Sequence, residues 1–169
     1  ADVITRIVGS VSEAYGALAD PANPLKMVPW VFRFGHTTEE GNAAFMCLLA
    51  RRSRGPIVEF GTFIGRNALN MSFNTNHPIY TIDSGVPDDP RYGSYVPGED
   101  FVNADIANKP HLLLGDSRVV DIPVEPHTAG FVYVDGGHSY DVVKSDSARA
   151  IDLVHPDGFS VWDDYSGTW

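Results

Sequence analysis

Five short apolar runs, spaced by polar or helix-forming stretches, predict an α/β chain with a doubly wound, mostly parallel sheet. The runs are Ile57–Phe60, Ile79–Ile82, Leu112–Leu114, Phe131–Val134 and Phe159–Trp162. They are rich in β-branched and aromatic residues and lack strict polar alternation, as in strands covered on both faces. Each delivers a carboxylate at or near its end: Glu59, Asp83, Asp116, Asp135, then Asp163 and Asp164.

Residues 1–36 precede the rhythm and are expected to form an arm or lid, with 37–169 as the folded domain. Within the arm, Val11–Ala19 suits a short helix, and Pro21, Pro24 and Pro29 break the stretch after it. Trp30, Phe32 and Phe34 alternate with Val31 and Arg33, which predicts an aromatic face over the core or a pocket. Thr37–Ser53 reads as a helix. Thr37 and Glu40 make a capping box, Ala44, Phe45, Leu48 and Leu49 an apolar stripe, and Arg51 and Arg52 suit the negative end of the helix dipole. Gly55 and Pro56 end it.

Gly61 to Pro78 is long enough for a crossover helix with Ala68, Leu69 and Phe73 turned inward. Arg118 to Thr128 is too short and Pro-rich for a full helix. Ser139 to His155 predicts a helix burying Val142, Val143, Ala150, Ile151 and Val154. Right-handed crossovers then bring the strands into one sheet.

The 169 residues suit one compact domain, and 43% apolar content suits a packed core. Twelve basic and 22 acidic residues give a net charge of -10, which argues against nucleic acid as main partner. The single cysteine, Cys47, excludes an internal disulfide and is expected as a buried core thiol. No run of 18 apolar residues predicts a membrane span, and the start lacks signal-peptide features, so a cytoplasmic protein is expected. Ala1 in place of Met suggests a processed or trimmed start.

In a parallel sheet the carboxyl ends of the strands share one edge, the ligand crevice of open α/β folds. Carboxylates gathered there repel one another and require cations or hydroxyl donors. A sulfonium, ribose hydroxyls or a divalent metal would serve. The alternative is that each acid caps the helix after it. Gly61 permits a tight strand-to-helix turn, and Gly65 lets a ligand approach the helix start. The G-x-x-x-G spacing is not the G-x-G-x-x-G of nicotinamide or flavin binders, and no phosphate-loop lysine follows. His36, His77, His111, His127 and His155 show no ligand spacing, and no G-x-S-x-G elbow is present.

IVEFGTFIGRNAL, YTIDS, LLLGDS, FVYVDGGHSYDVVKSD and GFSVWDDY together resemble the motifs of class I S-adenosylmethionine-dependent methyltransferases. The last two are similar to a bacterial subgroup with DGGHSY and DDY signatures, and to metal-dependent O-methyltransferases. The resemblance covers roughly Thr37 to Tyr165. It implies a Rossmann-like sheet of order 3-2-1-4-5. It implies that Glu59, Gly61, Thr62 and Gly65 hold the methionine end of S-adenosylmethionine, Asp83 and Ser84 its ribose, and Asp116 and Ser117 its adenine. Asp135 would serve both cofactor and catalysis, and would bind Mg²⁺ or another divalent cation with Asp163 and Asp164. His138, three residues after Asp135, is the candidate base, with a structural turn or cap as its alternative.

The expected activity is Mg-assisted methylation of a hydroxyl on a small-molecule acceptor. A metal-independent N-methyltransferase and a non-catalytic binding module are the alternatives. The family sheet continues into a helix and an antiparallel hairpin, whereas this sequence ends at Trp169. The fifth strand would then be an exposed edge: the chain is a natural short form, a fragment, or one whose edge another subunit covers, and a homo-oligomer formed through this edge or the adjoining apolar surface is expected.

Overall fold

The computed structural model describes residues 22, 24–28, 40–86 and 93–163. Their elements are α1 (Glu40–Arg52), β1 (Ile57–Phe60), α2 (Arg66–Ser72), β2 (Ile79–Asp83) and α3 (Glu99–Val102). Then come β3 (His111–Leu114), β4 (Ala129–Val134), α4 (Tyr140–Leu153) and β5 (Val154–Trp162). The helix expected at Val11–Ala19, the aromatic face expected at Trp30–Phe34, the cap expected at Thr37 and the expected metal ligand Asp164 lie outside the described residues.

The five strands form one parallel sheet in the order β3-β2-β1-β4-β5, the expected topology. Two apolar layers sandwich it. On one face Ile57, Ile79, Phe131 and Tyr133 pack with Met46, Leu49 and Ala50 of α1, Ala68, Leu69 and Met71 of α2, and Phe101 of α3. On the other, Val58, Phe60, Ile82, Val132 and Val134 pack with Ala150 and Leu153 of α4 and with Ile122 and Val124. Alternate residues of each strand thus serve opposite layers, and each fully buried Ile or Phe contributes about 1.5–3 kcal/mol. Cys47 is a core thiol with no exposure, and burial pushes its pKa up to about 12. No helix among the described residues is long and apolar enough to cross a membrane.

Three differences from the sequence expectations have physical causes. The buried residues of α4 are Asp146, Ala150 and Leu153, while Ile151 is 62% exposed and Val143 40%. Ile151 follows Ala150 by one residue, a rotation of about 100° that carries it away from the sheet. The fifth strand starts at Val154, directly after α4, and not at Phe159. Its register jumps between Ala129↔Val154 and Phe131↔Phe159, so His155–Gly158 bulge out of the ladder. A Cβ at Gly158 would lie 3.0 Å from the carbonyl oxygens of both Ala129 and Gly130. The short α3 was not legible in the sequence. It is held by amides of Gly98 and Asp100 donating to the Phe63 and Ile64 carbonyls, at 2.8 and 3.0 Å, and by Phe101 in the core.

Part of the N-terminal arm is docked. Asn70 and Asn74 of the α2 region grip the backbone of residues 24–28. Val28 N donates to Asn70 Oδ1 (2.8 Å), Lys26 N to Asn74 Oδ1 (3.1 Å), and Asn74 Nδ2 to the Lys26 carbonyl (2.7 Å). The Pro-rich connection between β3 and β4 opens with a single turn, in which Val120 N donates to the Asp116 carbonyl at 2.9 Å, and forms no full helix.

Candidate functional site

Strand register assembles the site. Pairing places Leu112, Thr81, Glu59, Tyr133 and Val161 in one row across the sheet. Because side chains alternate with period two, the residues two further on return to the same face. Those residues are Leu114, Asp83, Gly61, Asp135 and Asp163. The ladder continues through them, with Gly61 N donating to the Ile82 carbonyl (2.9 Å), Asp135 N to Phe60 (2.8 Å) and Asp163 N to Val134 (3.0 Å). Asp83, Asp135 and Asp163 therefore line one rim, and Glu59 sits one row beneath it.

Gly61 is the close-packed point of this rim. Its φ of 97° lies in the left-handed region, and a Cβ there would fall 1.9 Å from the Asp135 carbonyl oxygen. The glycine lets the turn after β1 lie directly on the turn after β4. At Gly65, φ is 86° and the space of a side chain is filled by the ring of Phe101, 2.4 Å from the Cβ position. That glycine is needed for helix-to-helix packing at the start of α2.

Glu59 is 1% exposed. Thr81 Oγ1 donates to its Oε2 at 2.6 Å, and Thr62 Oγ1 lies 2.6 Å from Thr81 Oγ1, so the hydroxyl of Thr62 faces inward. Oε1 has no partner among the described residues. Burial pushes the Glu59 pKa up to about 8. The Thr81 hydrogen bond opposes this, and the charges of Asp135 and Asp83 add to it. Tyr133, its neighbour in the row, donates to Asp135 Oδ2 at 3.1 Å. Its pKa is raised by burial first, then by Asp135, Asp163 and Glu59. These groups feel one another's charge, as a shared rim requires.

Asp83 is 7% exposed and already accepts three hydrogen bonds: from Phe63 N at Oδ2, and from Gly85 N and the Tyr95 hydroxyl at Oδ1, each 2.7 Å. The exposed Ser84 closes a local turn with Val86 through its hydroxyl. Asp116, two residues past β3, is at the same end of the sheet but stands apart electrostatically. Its carboxylate is forked by Arg118, with Nη2 at 2.6 Å, and the hydrogen bonds from Arg118 hold its pKa down at about 2. The Ser117 carbonyl accepts from the Arg149 guanidinium, which also donates to Val120 O at 2.7 Å and so ties this loop to α4. Asp146 of α4 is buried beneath, 3.1 Å from the Cβ position of Gly136, with its pKa raised by burial. His138 is exposed on the turn between β4 and α4.

The rim thus unites Glu59, Gly61, Thr62, Asp83, Asp135 and Asp163. Among the described residues, no group of three His, Cys, Asp or Glu is placed to hold a metal ion. The sequence reading missed Thr81, Tyr133, Phe63 and Tyr95. Period-two counting back from Asp83 and Asp135 would have found the first two. Phe63 and Tyr95 reach Asp83 through loop geometry that carries no local signal.

The sequence pattern of a family described as "Methyltransferase domain" matches residues 38–165. No sequence among the curated proteins matches this chain. Among solved structures, it is similar to a candidate type II methyltransferase from Anaeromyxobacter dehalogenans. That match has 13% identity and a TM-score of 0.48, and covers 71% of this chain and 46% of the other. It is also similar to a candidate S-adenosyl-L-methionine-dependent methyltransferase from Methanococcus maripaludis. Identity is again 13% and the TM-score 0.48, with 80% of this chain and 67% of that one covered. The chain therefore spans about half the length of the first of these structures.

Proposed function

The chain belongs to the methyltransferase-domain family, and from that premise we propose that it binds S-adenosylmethionine and methylates a hydroxyl of a small-molecule acceptor. One observation carries the reading. Glu59 is a buried carboxyl with an oxygen that has no partner among the described residues, and it feels the charges of the rim acids Asp83 and Asp135. Burying such a group without a partner is costly, and a cation against it recovers that cost. A sulfonium donor carrying an ammonium group fits that demand.

In this reading Glu59, Gly61, Thr62 and Gly65 hold the amino-acid end of the donor. Asp83 and Ser84 hold the ribose, and Asp116 and Ser117 the adenine. The donor supplies an electrophilic methyl group. The chain supplies orientation: the backbone contact of Gly61 with Asp135 locks the two turns that flank the reacting centre, and positioning of this kind accounts for much of the acceleration in such transfers. His138, three residues past Asp135, accepts the acceptor's hydroxyl proton.

The divalent-cation part, with Mg²⁺ on Asp135, Asp163 and Asp164, is supported by the adjacency of Asp135 and Asp163 on the rim. The described residues supply no third ligand, so no step is assigned to a metal. Association of two copies along β5, which pairs only with β4 among the described residues, belongs to the same proposal. Light scattering at micromolar concentration that returns a monomer would remove it.

The test combines calorimetry with S-adenosylmethionine and S-adenosylhomocysteine with transfer of a labelled methyl group to hydroxyl-bearing acceptors. Binding and transfer are expected. Absence of binding by either nucleoside refutes the enzyme reading. Chelator-sensitive turnover that Asp163→Asn abolishes supports the metal, and turnover indifferent to both removes it.

A further inference from the structure

We infer that the hydroxyl of Tyr95 occupies the position on Asp83 that a ribose diol must take, so that the Gly93–Gly98 strap gates the nucleoside site. This rests on the donor-binding reading above and deepens it.

An ionised carboxylate offers about four lone-pair positions. Asp83 has three filled, by Phe63 N, Gly85 N and Tyr95 Oη, each at 2.7 Å. A vicinal diol brings two donors to one remaining position. The two amide donors belong to the turns that build the site: Phe63 stands at φ 48° in the glycine turn, and Gly85 lies two residues past the strand end. Of the three, the tyrosine contact alone comes from a side chain.

The cover is also physical. Asp83 is 7% exposed, so a ligand cannot reach it until something moves. The Tyr95 ring lies on Phe63, with centroids 4.9 Å apart and planes tilted by 53°. The strap that carries Tyr95 is fixed at one end, where Gly98 N donates to the Phe63 carbonyl at 2.8 Å and Phe101 is buried beneath. Its other end, Gly93, has φ 64° and open space around its Cβ position. An anchored end at Gly98, a left-handed glycine at Gly93 and a side-chain hydrogen bond between them describe a latch. Departure of Tyr95 exposes the carboxylate and frees a second position for the diol.

The experiment measures S-adenosylhomocysteine affinity by calorimetry for the wild type and Tyr95→Phe, with the 2′,3′-dideoxy analogue as control. Tyr95→Phe keeps the ring on Phe63 and removes only the competing hydroxyl. It is expected to bind S-adenosylhomocysteine about tenfold more tightly, the size of one hydrogen bond to a charged acceptor. The dideoxy analogue, which has no diol to exchange for Tyr95, is expected to gain much less. Equal or weaker binding of S-adenosylhomocysteine by Tyr95→Phe overturns the latch, as does an equal gain for the dideoxy analogue. If the wild type binds neither S-adenosylmethionine nor S-adenosylhomocysteine, the proposed function fails and the latch fails with it. Binding that Tyr95→Phe leaves unaltered sinks the latch alone.

Discussion

Glu59→Gln should stabilise the protein, and by an amount that grows with pH. The carboxyl is 1% exposed, and burial raises its pKa from the ordinary 4.5 to about 8. Between those values the folded chain keeps a proton that the unfolded chain releases. Fewer protons on the unfolded state mean that stability falls as pH rises through the window, and the loss is complete above pH 8. The full span corresponds to roughly 5 kcal/mol, and relaxation around the site leaves about 2–5 kcal/mol. Glutamine keeps the shape and an acceptor for Thr81 Oγ1 but cannot ionise. Thermal unfolding of both proteins from pH 5.5 to 8.5 reads the difference. At about 2–4 °C per kcal/mol for a chain of this size, the variant should melt about 5–15 °C higher at pH 8.5 and by roughly a third of that at pH 5.5. A difference that is constant with pH, or that shrinks as pH rises, refutes the assignment of a buried, proton-holding Glu59. The same variant should bind S-adenosylmethionine more weakly, because a cation against Glu59 favours its ionised form and glutamine cannot ionise.

Gly61→Ala forces a Cβ to 1.9 Å from the Asp135 carbonyl oxygen in a left-handed backbone, and no flexible side chain is available to yield. A loss of about 3–5 kcal/mol is expected from overpacking and backbone strain together, read as a lower denaturant midpoint. Gly93→Ala meets nothing within 4 Å, so only the strain of its φ of 64° applies, and a loss near ~1 kcal/mol is expected. Equal losses in the two variants would show that the contact with Asp135 is not what demands glycine. Arg118→Ala should return the Asp116 pKa from about 2 toward the ordinary carboxylate range, seen by NMR titration of the side-chain carboxyl. The melting temperature should stay unchanged, since the pair is exposed.

Much of the fold was legible in the chain because strands buried on both faces leave a simple record. Three apolar residues and Glu59, bounded by turn formers, became β1 with the boundaries expected, Ile57–Phe60. The acids at the strand ends were legible for the same reason: a parallel sheet sends all its carboxyl ends one way, so an acid after each strand must join the others at one edge. What the pattern of residues could not determine was how each acid is spent. Asp116 and Asp83 look alike in sequence, yet one is forked by Arg118 in the open and the other is buried under Tyr95.

That division has a physical origin. Periodicity reports which residues avoid water, and it holds wherever one element faces one layer. It fails where a neighbour sets the angle. Helix α4 is oriented by its packing on β4, which buries Asp146 and exposes Ile151 against their own hydropathy. Glu59 depends on register across three strands, since only pairing with Thr81 and Tyr133 encloses it. The sequence by itself determined the strand order's raw material and the edge where charge collects. Tertiary structure alone decided which of those charges stay buried, because desolvation depends on every chain segment packed around a group and on none of its sequence neighbours.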